Sequence, residues 1–427
     1  MKCASIWMLA VVVALMTSAS PGMARQEAPK NEAAKLADLL AEAARSNPQI
    51  QAAKQEWQSM QQMPTQVSTL PDPQVAIQQV NVGGPRPFAG FTNSDFAYIG
   101  LSISQDFPYP GKLKLRRELA NKDAEVAEQK VEATLRAVLS DLKMAYFRLA
   151  FLRKQSSILE GDRGLLQQME QAAEVKYRSG TGNQQEVLQA QLQQTKLLRE
   201  VTANRLEASK LQAELKQLLG RTQNSPDLVT EETVETPVTR NFDELLSAAQ
   251  SSNPQISGAQ KSVDRQKVAI DIAKKDFYPD FNAQFMWQRT DPSQFRAYYQ
   301  FTFGARIPIY HKKKQQPELA QAEIDRTRAQ SQLEAQSQEI SSILRKEYVS
   351  AEKSAELLKI YRDGLLPQAR AELQAGFAAY QSNRQDFLAL LASFLDVLKL
   401  DEEYWQTLSE HETALGQIEE LTGVSLR

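Results

Sequence analysis

Ser46-Asn47-Pro48-Gln49-Ile50 returns, 206 residues later, as Ser252-Asn253-Pro254-Gln255-Ile256. Leu39-Leu40 returns as Leu245-Leu246 at the same offset. Further on the offset becomes 200: Ala97-Tyr98 pairs with Ala297-Tyr298, Glu118-Leu119-Ala120 with Glu318-Leu319-Ala320, and Gly164-Leu165-Leu166 with Gly364-Leu365-Leu366. Near the end it is 203, matching Tyr177 with Tyr380, Ser179 with Ser382 and Gly220 with Gly423. An ordered series of this kind marks an internal duplication, which has to be recognised before any element is assigned. Shared low complexity in Gln- and Ala-rich helices does not generate the Ser-Asn-Pro-Gln-Ile match. The Thr-, Glu- and Pro-rich stretch 221–240 reads as a connector between the copies rather than a core element. The first copy is expected over 25–220 and the second over 241–427.

Each copy opens with an expected helix, about Glu32 to Gln62 and Phe242 to Asp276, the second N-capped by Asn241. Two strands per copy follow, about 74–81 and 96–107, then about 280–288 and 297–309. Tyr299, Phe301, Phe303 and Ala305 alternate with Gln300, Thr302, Gly304 and Arg306, and Ile99, Leu101 and Ile103 with Gly100, Ser102 and Ser104. Period-two alternation puts one set on each face of a strand. An apolar, aromatic face opposite a small, polar face fits lipid on one side and water on the other; a half-buried strand in a water-soluble sheet is the plainer alternative. Four strands cannot close a barrel, and open edges in lipid leave unpaired backbone groups that cost several kcal/mol each. Membrane-spanning strands would therefore require several chains to share one barrel, and three would supply about twelve strands, within the even-numbered range of such barrels.

After the strands come Phe107-Pro108-Tyr109-Pro110-Gly111-Lys112 and Ile307-Pro308-Ile309-Tyr310-His311-Lys312. Proline ends ladder pairing, and aromatic with basic residues suits a membrane–water boundary. Long helical hairpins follow over 113–219 and 313–421. Val131, Leu135, Val138, Leu142, Ala145, Leu149 and Leu152 alternate spacings of four and three, as a coiled-coil seam requires. Leu344, Tyr348, Ala351, Ala355 and Leu358 repeat the pattern. Some 66 helical residues reach about 100 Å, with Gly161, Gly164, Gly364 and Pro367 as candidate kinks. The hairpins turn at Ser179-Gly180-Thr181-Gly182-Asn183 and Gln381-Ser382-Asn383-Arg384-Gln385, far from the strands.

The N-terminus sets the compartment. Lys2 precedes an unbroken apolar run, Ile6 to Met16, and Gly22-Met23-Ala24 offers small residues at cleavage spacing, so 1–24 reads as a secretory signal peptide. Ala19 offers a second cut. Eleven apolar residues are too few for a membrane span of about 20. Cys3, the only cysteine, lies before the run rather than after it, so the mature chain is expected to carry no lipid-bearing cysteine and no disulfide. Lys and Arg number 50 against 52 Asp and Glu, a net charge of −2 that gives no basic footprint for nucleic acid. No glycine-rich phosphate loop, nucleophile elbow or HExxH pattern occurs, which argues against an enzyme. No cofactor and no metal site is expected. His311 sits in a basic patch with Lys312, Lys313 and Lys314, and His411, between Glu410 and Glu412, reads as a surface residue.

With these features together the sequence resembles the outer membrane efflux protein family, the TolC-like channels. The resemblance rests on the duplicated halves, on Tyr177-Arg178-Ser179-Gly180 followed by Val187-Leu188-Gln189-Ala190-Gln191, and on Leu365-Leu366-Pro367-Gln368-Ala369 leading to Tyr380. Leu70-Pro71-Asp72-Pro73 and the Phe107-to-Lys112 segment look most like the heavy-metal branch, the CusC- and CzcC-like proteins.

The resemblance implies a mainly α fold with a membrane β part: a duplicated β-β-long helical hairpin unit whose homotrimer closes a 12-stranded β-barrel, continuous with a periplasmic α-helical barrel. It implies an exit duct that passively conducts substrate, metal cations in that branch, from a periplasmic adaptor (a membrane fusion protein) and an inner-membrane pump of the resistance-nodulation-division or another class. The competing reading is a periplasmic coiled-coil adaptor or a structural protein of an envelope complex. Tyr177, Ser179, Gly180, Thr181, Gly182, Glu186, Tyr380, Ser382, Asn383, Arg384 and Asp386 are the expected entrance and adaptor-contacting tips. Phe107, Tyr109, Pro110, Gly111 and Lys112 form the expected membrane-boundary segment, against outer-membrane lipid. The family's gate often carries carboxylates nine and twelve positions after the second tip tyrosine; here these places hold Ala389 and Ala392, so that ring does not carry over. Glu186, Arg384 and Asp386 are expected to shape the entrance by charge instead.

Overall fold

The computed structural model of the chain describes residues 33–80, 98–290 and 297–426. The expected signal peptide over 1–24, the helix start at Glu32, and strand residues 81, 96 and 97 lie outside them. The repeated pentapeptide explains how each copy begins. Where one helix is expected there are two, α1 (Leu36–Ser46) and α2 (Pro48–Met60), followed by a short α3 (Met63–Ser68). The break is at Asn47-Pro48. Pro48 lacks the N–H that a continuous helix would need, yet suits the first turn of a new one. Asn47 Oδ1 accepts from Gln49 N at 2.8 Å and Ile50 N at 3.2 Å, capping α2.

After α3 the chain runs through β1 (Gln74–Val80), β2 (Tyr98–Phe107), the 67-residue α4 (Lys112–Arg178) and the returning α5 (Gln184–Leu218). At about 1.5 Å per residue α4 is roughly 100 Å long. Gly161 and Gly164 do not interrupt it. A Cβ at either would meet nothing within 4 Å, so no close packing demands glycine there. The second copy opens with α6 (Phe242–Ser252) and α7 (Pro254–Lys275), again split at Asn-Pro, and Asn241 caps α6 by accepting from Glu244 N at 2.8 Å. Next come β3 (Asp280–Thr290), β4 (Ala297–Arg306) and α8 (Gln315–Ile360). β4 stops three residues before the expected end, because Pro308 cannot donate to a ladder. A π-helical turn over Tyr361–Leu365 then leads into α9 (Leu366–Gln381), and α10 (Phe387–Thr422) returns. Pro367 accounts for the π turn: it has no N–H for the Asp363 carbonyl and its ring crowds that oxygen, so the helix widens just before it.

The pentapeptide also fastens the far end of each copy. Ser46 Oγ donates to Leu219 O at 2.7 Å and Asn47 Nδ2 to Leu218 O at 2.8 Å, satisfying the last carbonyls of α5. Ser252 Oγ to Thr422 O at 2.6 Å and Asn253 Nδ2 to Leu421 O at 3.0 Å repeat this at the end of α10. Both helices end on a left-handed glycine, Gly220 and Gly423, each at φ +68°. A Cβ on Gly220 would lie 2.5 Å from Ser46 O, so only glycine lets the two helix ends meet.

The stretch 221–240 is more than a connector. Leu228 is buried in the core formed by α1, α4 and α5. Gln212 brackets its backbone, donating to Leu228 O at 2.8 Å and accepting from Leu228 N at 2.9 Å. His411 is fully buried, contrary to the surface reading. Its Nε2 donates to Thr236 O at 2.7 Å, and Nδ1 lies 2.9 Å from Ser354 Oγ. Glu412, also buried, accepts from Thr236 N at 2.7 Å. The connector thus straps the two hairpins at mid-length.

Candidate functional site

The four strands form one antiparallel sheet in the order β1-β2-β3-β4. Its register aligns Val75, Ile103, Phe285 and Phe301 in one row, and Ile77, Leu101, Trp287 and Tyr299 in the next. These side chains are exposed, Ile77 and Tyr299 each to 73% and Phe303 to 82%. The rows of opposite parity carry Gln74, Ser104, Gln284 and Thr302, and Ala76, Ser102, Met286 and Gln300. Over these rows one face is an apolar patch, bordered on the same face by Gln79 and Arg289, and the other is mostly amide and hydroxyl. No aqueous surface leaves so many large apolar groups bare at no cost. Among the described residues no helix is long and apolar enough to cross a membrane.

Where sheet meets helices, the expected boundary segment is a clasp. Tyr109 stacks on Tyr278 with ring centroids 4.6 Å apart, and Lys275 lies 5.4 Å from each ring. Tyr109 N donates to Asp280 Oδ1 at 2.8 Å. Gly111, at φ +94°, turns the chain into α4. Lys112 is buried, its Nζ 2.9 Å from Asp280 and 3.1 Å from Asp276. Phe107 is exposed and Pro110 lies at the surface beside it. His311 and Lys312 of the second copy are exposed.

At the other end the two hairpin tips pack together. Leu166, Met169 and Ala173 of α4, Ala190 of α5, Leu373 and Tyr380 of α9, and Phe387, Leu390 and Phe394 of α10 share one core. The duplication splits the two tip tyrosines: Tyr380 is 2% exposed and Tyr177 46%. The Tyr380 hydroxyl donates to Glu186 Oε2 at 2.7 Å. Burial, and then the Glu186 carboxylate, push this hydroxyl well above the ordinary phenol range. Lys176 donates to Tyr380 O and its ammonium lies 3.7 Å from the Tyr380 ring centroid. Sequence reasoning missed Lys176; its signal was its place one residue before Tyr177, which turns it onto the neighbouring hairpin when Tyr177 faces outward.

The turns themselves are built from polar groups. Gly180 is left-handed, and a Cβ on Gly182 would lie 2.8 Å from Lys176 Cβ. Ser179 and Thr181 hydroxyls are 2.9 Å apart, and Asn183 caps α5 through Gln185 N at 3.2 Å. In the second tip Asn383 takes φ 59°, Ser382 Oγ donates back to Ala378 O at 3.1 Å, and Asp386 caps α10 by accepting from Ala389 N at 2.8 Å. Arg384 is exposed, as are Ala389 and Ala392. Of the three charges expected to shape the entrance, Glu186 and Asp386 also hold structure, and exposed Arg384 has no ion-pair partner among the described residues.

A family model described as outer membrane efflux protein matches residues 39–221 and 245–392. The chain belongs to the outer membrane efflux protein family. The family's members are outer-membrane efflux proteins, a description that fits neither an enzyme nor a periplasmic coiled-coil adaptor. The fold is that of solved outer-membrane channels. OprN superposes with a TM-score of 0.77 at 17% identity, over 92% of this chain and 90% of that one. CusC, described for its transmembrane channel formation, gives 0.77 at 17%, over 91% and 92%. The outer membrane protein VceC of Vibrio cholerae gives 0.77 at 16%, over 92% and 97%. Equal likeness to all three does not single out the heavy-metal branch. No curated protein matches in sequence. As a family member the chain is an outer-membrane protein.

Proposed function

We propose that three copies of this chain form an exit duct. Each contributes four strands to a twelve-stranded barrel and two hairpins to a periplasmic helical barrel. The observation that carries this is the two-faced sheet with both edge strands open, β1 and β4. Its apolar face requires lipid, and lipid cannot satisfy an open edge, so the edges must meet those of other copies. The amide and hydroxyl face then lines a wet bore, which conducts solute without a catalytic group. The tips, with the Tyr380–Glu186 tie and Arg384, form the periplasmic entrance and offer their turns to a periplasmic adaptor. The adaptor connects them to an inner-membrane pump of the resistance-nodulation-division or another class. Cargo, metal cation or other, is chosen by that pump, because a wet bore lined by amides and hydroxyls conducts solute without specific ligands. Purified protein in a planar lipid bilayer should give discrete conductance steps. A preparation that inserts into the membrane and stays electrically silent, with Tyr380→Phe equally silent, would refute the duct.

A further inference from the structure

The duplication fixes how one copy's edge should meet the next. Leu70-Pro71-Asp72 and Tyr278-Pro279-Asp280 enter β1 and β3 at an offset of 208, and Phe107-Pro108 and Ile307-Pro308 leave β2 and β4 at an offset of 200. These two offsets carry the observed pair Gln74↔Ser104 onto Asn282↔Gly304, which is also observed. The hairpins β1–β2 and β3–β4 are therefore superposable in register. The junction between them, β2 against β3, is a template for the junction of β4 with β1 of a second copy. Shifting Ile103↔Phe285 by the same offsets pairs Phe303 with Ile77 of the partner subunit. On the same face this register opposes Ala305 to Val75 of the partner subunit, and on the other face Thr302 to Gln78 of the partner subunit. A slip of one residue would invert both faces.

The same mapping acts on the clasp. In the internal junction Lys112 reaches Asp280, and Tyr109 stacks on Tyr278. The counterparts at the open edges are Lys312 with Asp72, and Ile309 with Leu70. Lys312 and Asp72 are exposed, and among the described residues neither has an ion-pair partner. Ile309 is 69% exposed and Leu70 43%. Both members of the internal stack are aromatic, and both members of the outer pair are aliphatic. The charge signs match at both junctions. Asp276, the second carboxylate on Lys112, has Ser68 as its counterpart, so the outer clasp holds one carboxylate.

We infer that Lys312 pairs with Asp72 of the partner subunit, with Ile309 packed on Leu70 of the partner subunit, closing each subunit junction as Lys112 and Asp280 close the internal one. This rests on the shared-barrel reading. The test uses the full chain in outer membranes in a Cys3→Ser background, with trimers read on unheated detergent gels over a temperature series. Asp72→Lys and Lys312→Asp should each lower the temperature at which trimers dissociate, and the two together should restore most of the loss. Val75→Cys combined with Ala305→Cys should be oxidised into covalent dimers and trimers, whereas Val75→Cys with Ala297→Cys should not. Trimers indifferent to both charge reversals and uncrosslinked by oxidation would overturn the clasp while leaving the shared barrel standing. A parent chain that yields no trimer at all would overturn the barrel.

Discussion

The Tyr380 hydroxyl and Glu186 Oε2, 2.7 Å apart, join the second hairpin to the first at their tips. The contact is a neutral donor on a charged acceptor, reinforced by Lys176 over the same ring. If the tips close the periplasmic entrance, this tie holds them closed. Tyr380→Phe keeps the ring in its core and removes only the hydroxyl, costing about 1–2 kcal/mol of tip closure. Single-channel recordings should show more frequent or larger openings. Glu186→Gln keeps an acceptor and should show a smaller change. Recordings indistinguishable from the parent for both variants would remove the tie from any gating role.

Asn47 uses its whole amide at once: Oδ1 caps α2 while Nδ2 holds Leu218 O at the end of α5. Asn47→Ala gives up an N-cap worth about 1 kcal/mol and leaves the part-buried Leu218 carbonyl without its donor, at about 1 kcal/mol more. Thermal unfolding of detergent-solubilised protein should show a clear fall in Tm. Asn47→Asp keeps the cap and loses the donor, so it should fall between the two. Asn253→Ala should cost a similar amount, and the two losses should add because the sites are separate. An unchanged Tm for either alanine variant would contradict this role of the pentapeptide.

Much of this was legible from the residues. The pentapeptide, the tip tyrosines and the alternating strands announced the duplication and the two-faced sheet, because both depend on local spacing. Asn47 and Pro48 also carried the signal for a helix break, but apolar periodicity on either side masked it. His411 was misread because its acidic neighbours in sequence suggest a solvated face; its burial depends on the strap arriving from 175 residues away at Thr236. The burial of Lys112 in the boundary segment was not legible, because Asp280, its partner, lies 168 residues away. Gly364 and Pro367 marked an irregularity, though spacing alone could not say that it would be a π turn. The split between Tyr177 and Tyr380 is likewise tertiary: equivalent positions face different neighbours.

The strap leads to a third expectation. His411→Leu removes the donor to Thr236 O from a fully buried site and leaves that carbonyl unpaired, at about 1–3 kcal/mol. The loss should be local. Limited proteolysis should cut within 221–240 sooner than in the parent, while the hairpin tips stay resistant. Equal cleavage rates within the strap would count against His411 as its anchor.

Asp162 gives a pH dependence. Its carboxyl is pushed up to about 6 by burial and then by the nearby Asp401 carboxylate, with Arg370 acting the other way. Arg370 Nη2 lies 2.7 Å from Asp401 Oδ1, while Asp162 Oδ2 is buried without a hydrogen-bond partner. A carboxyl raised in the folded state favours folding below its unfolded pKa, near 4, and loses that contribution as pH rises through 6. Asp162→Asn removes the charge that must be buried. It should raise Tm at pH 7.5, by about 2 kcal/mol of stability at most once partial exposure is allowed for, and should match the parent at pH 4. A variant that is less stable at pH 7.5 would contradict the assignment.

The central claim is that one chain is a third of a closed barrel, and the protein mass of the detergent-extracted particle tests it most directly. Light scattering on the particle eluting from a sizing column, corrected for bound detergent, should give the mass of three chains. A stable, folded particle with the mass of one or two chains would contradict it, because the open edges of β1 and β4 would then have no strands to meet.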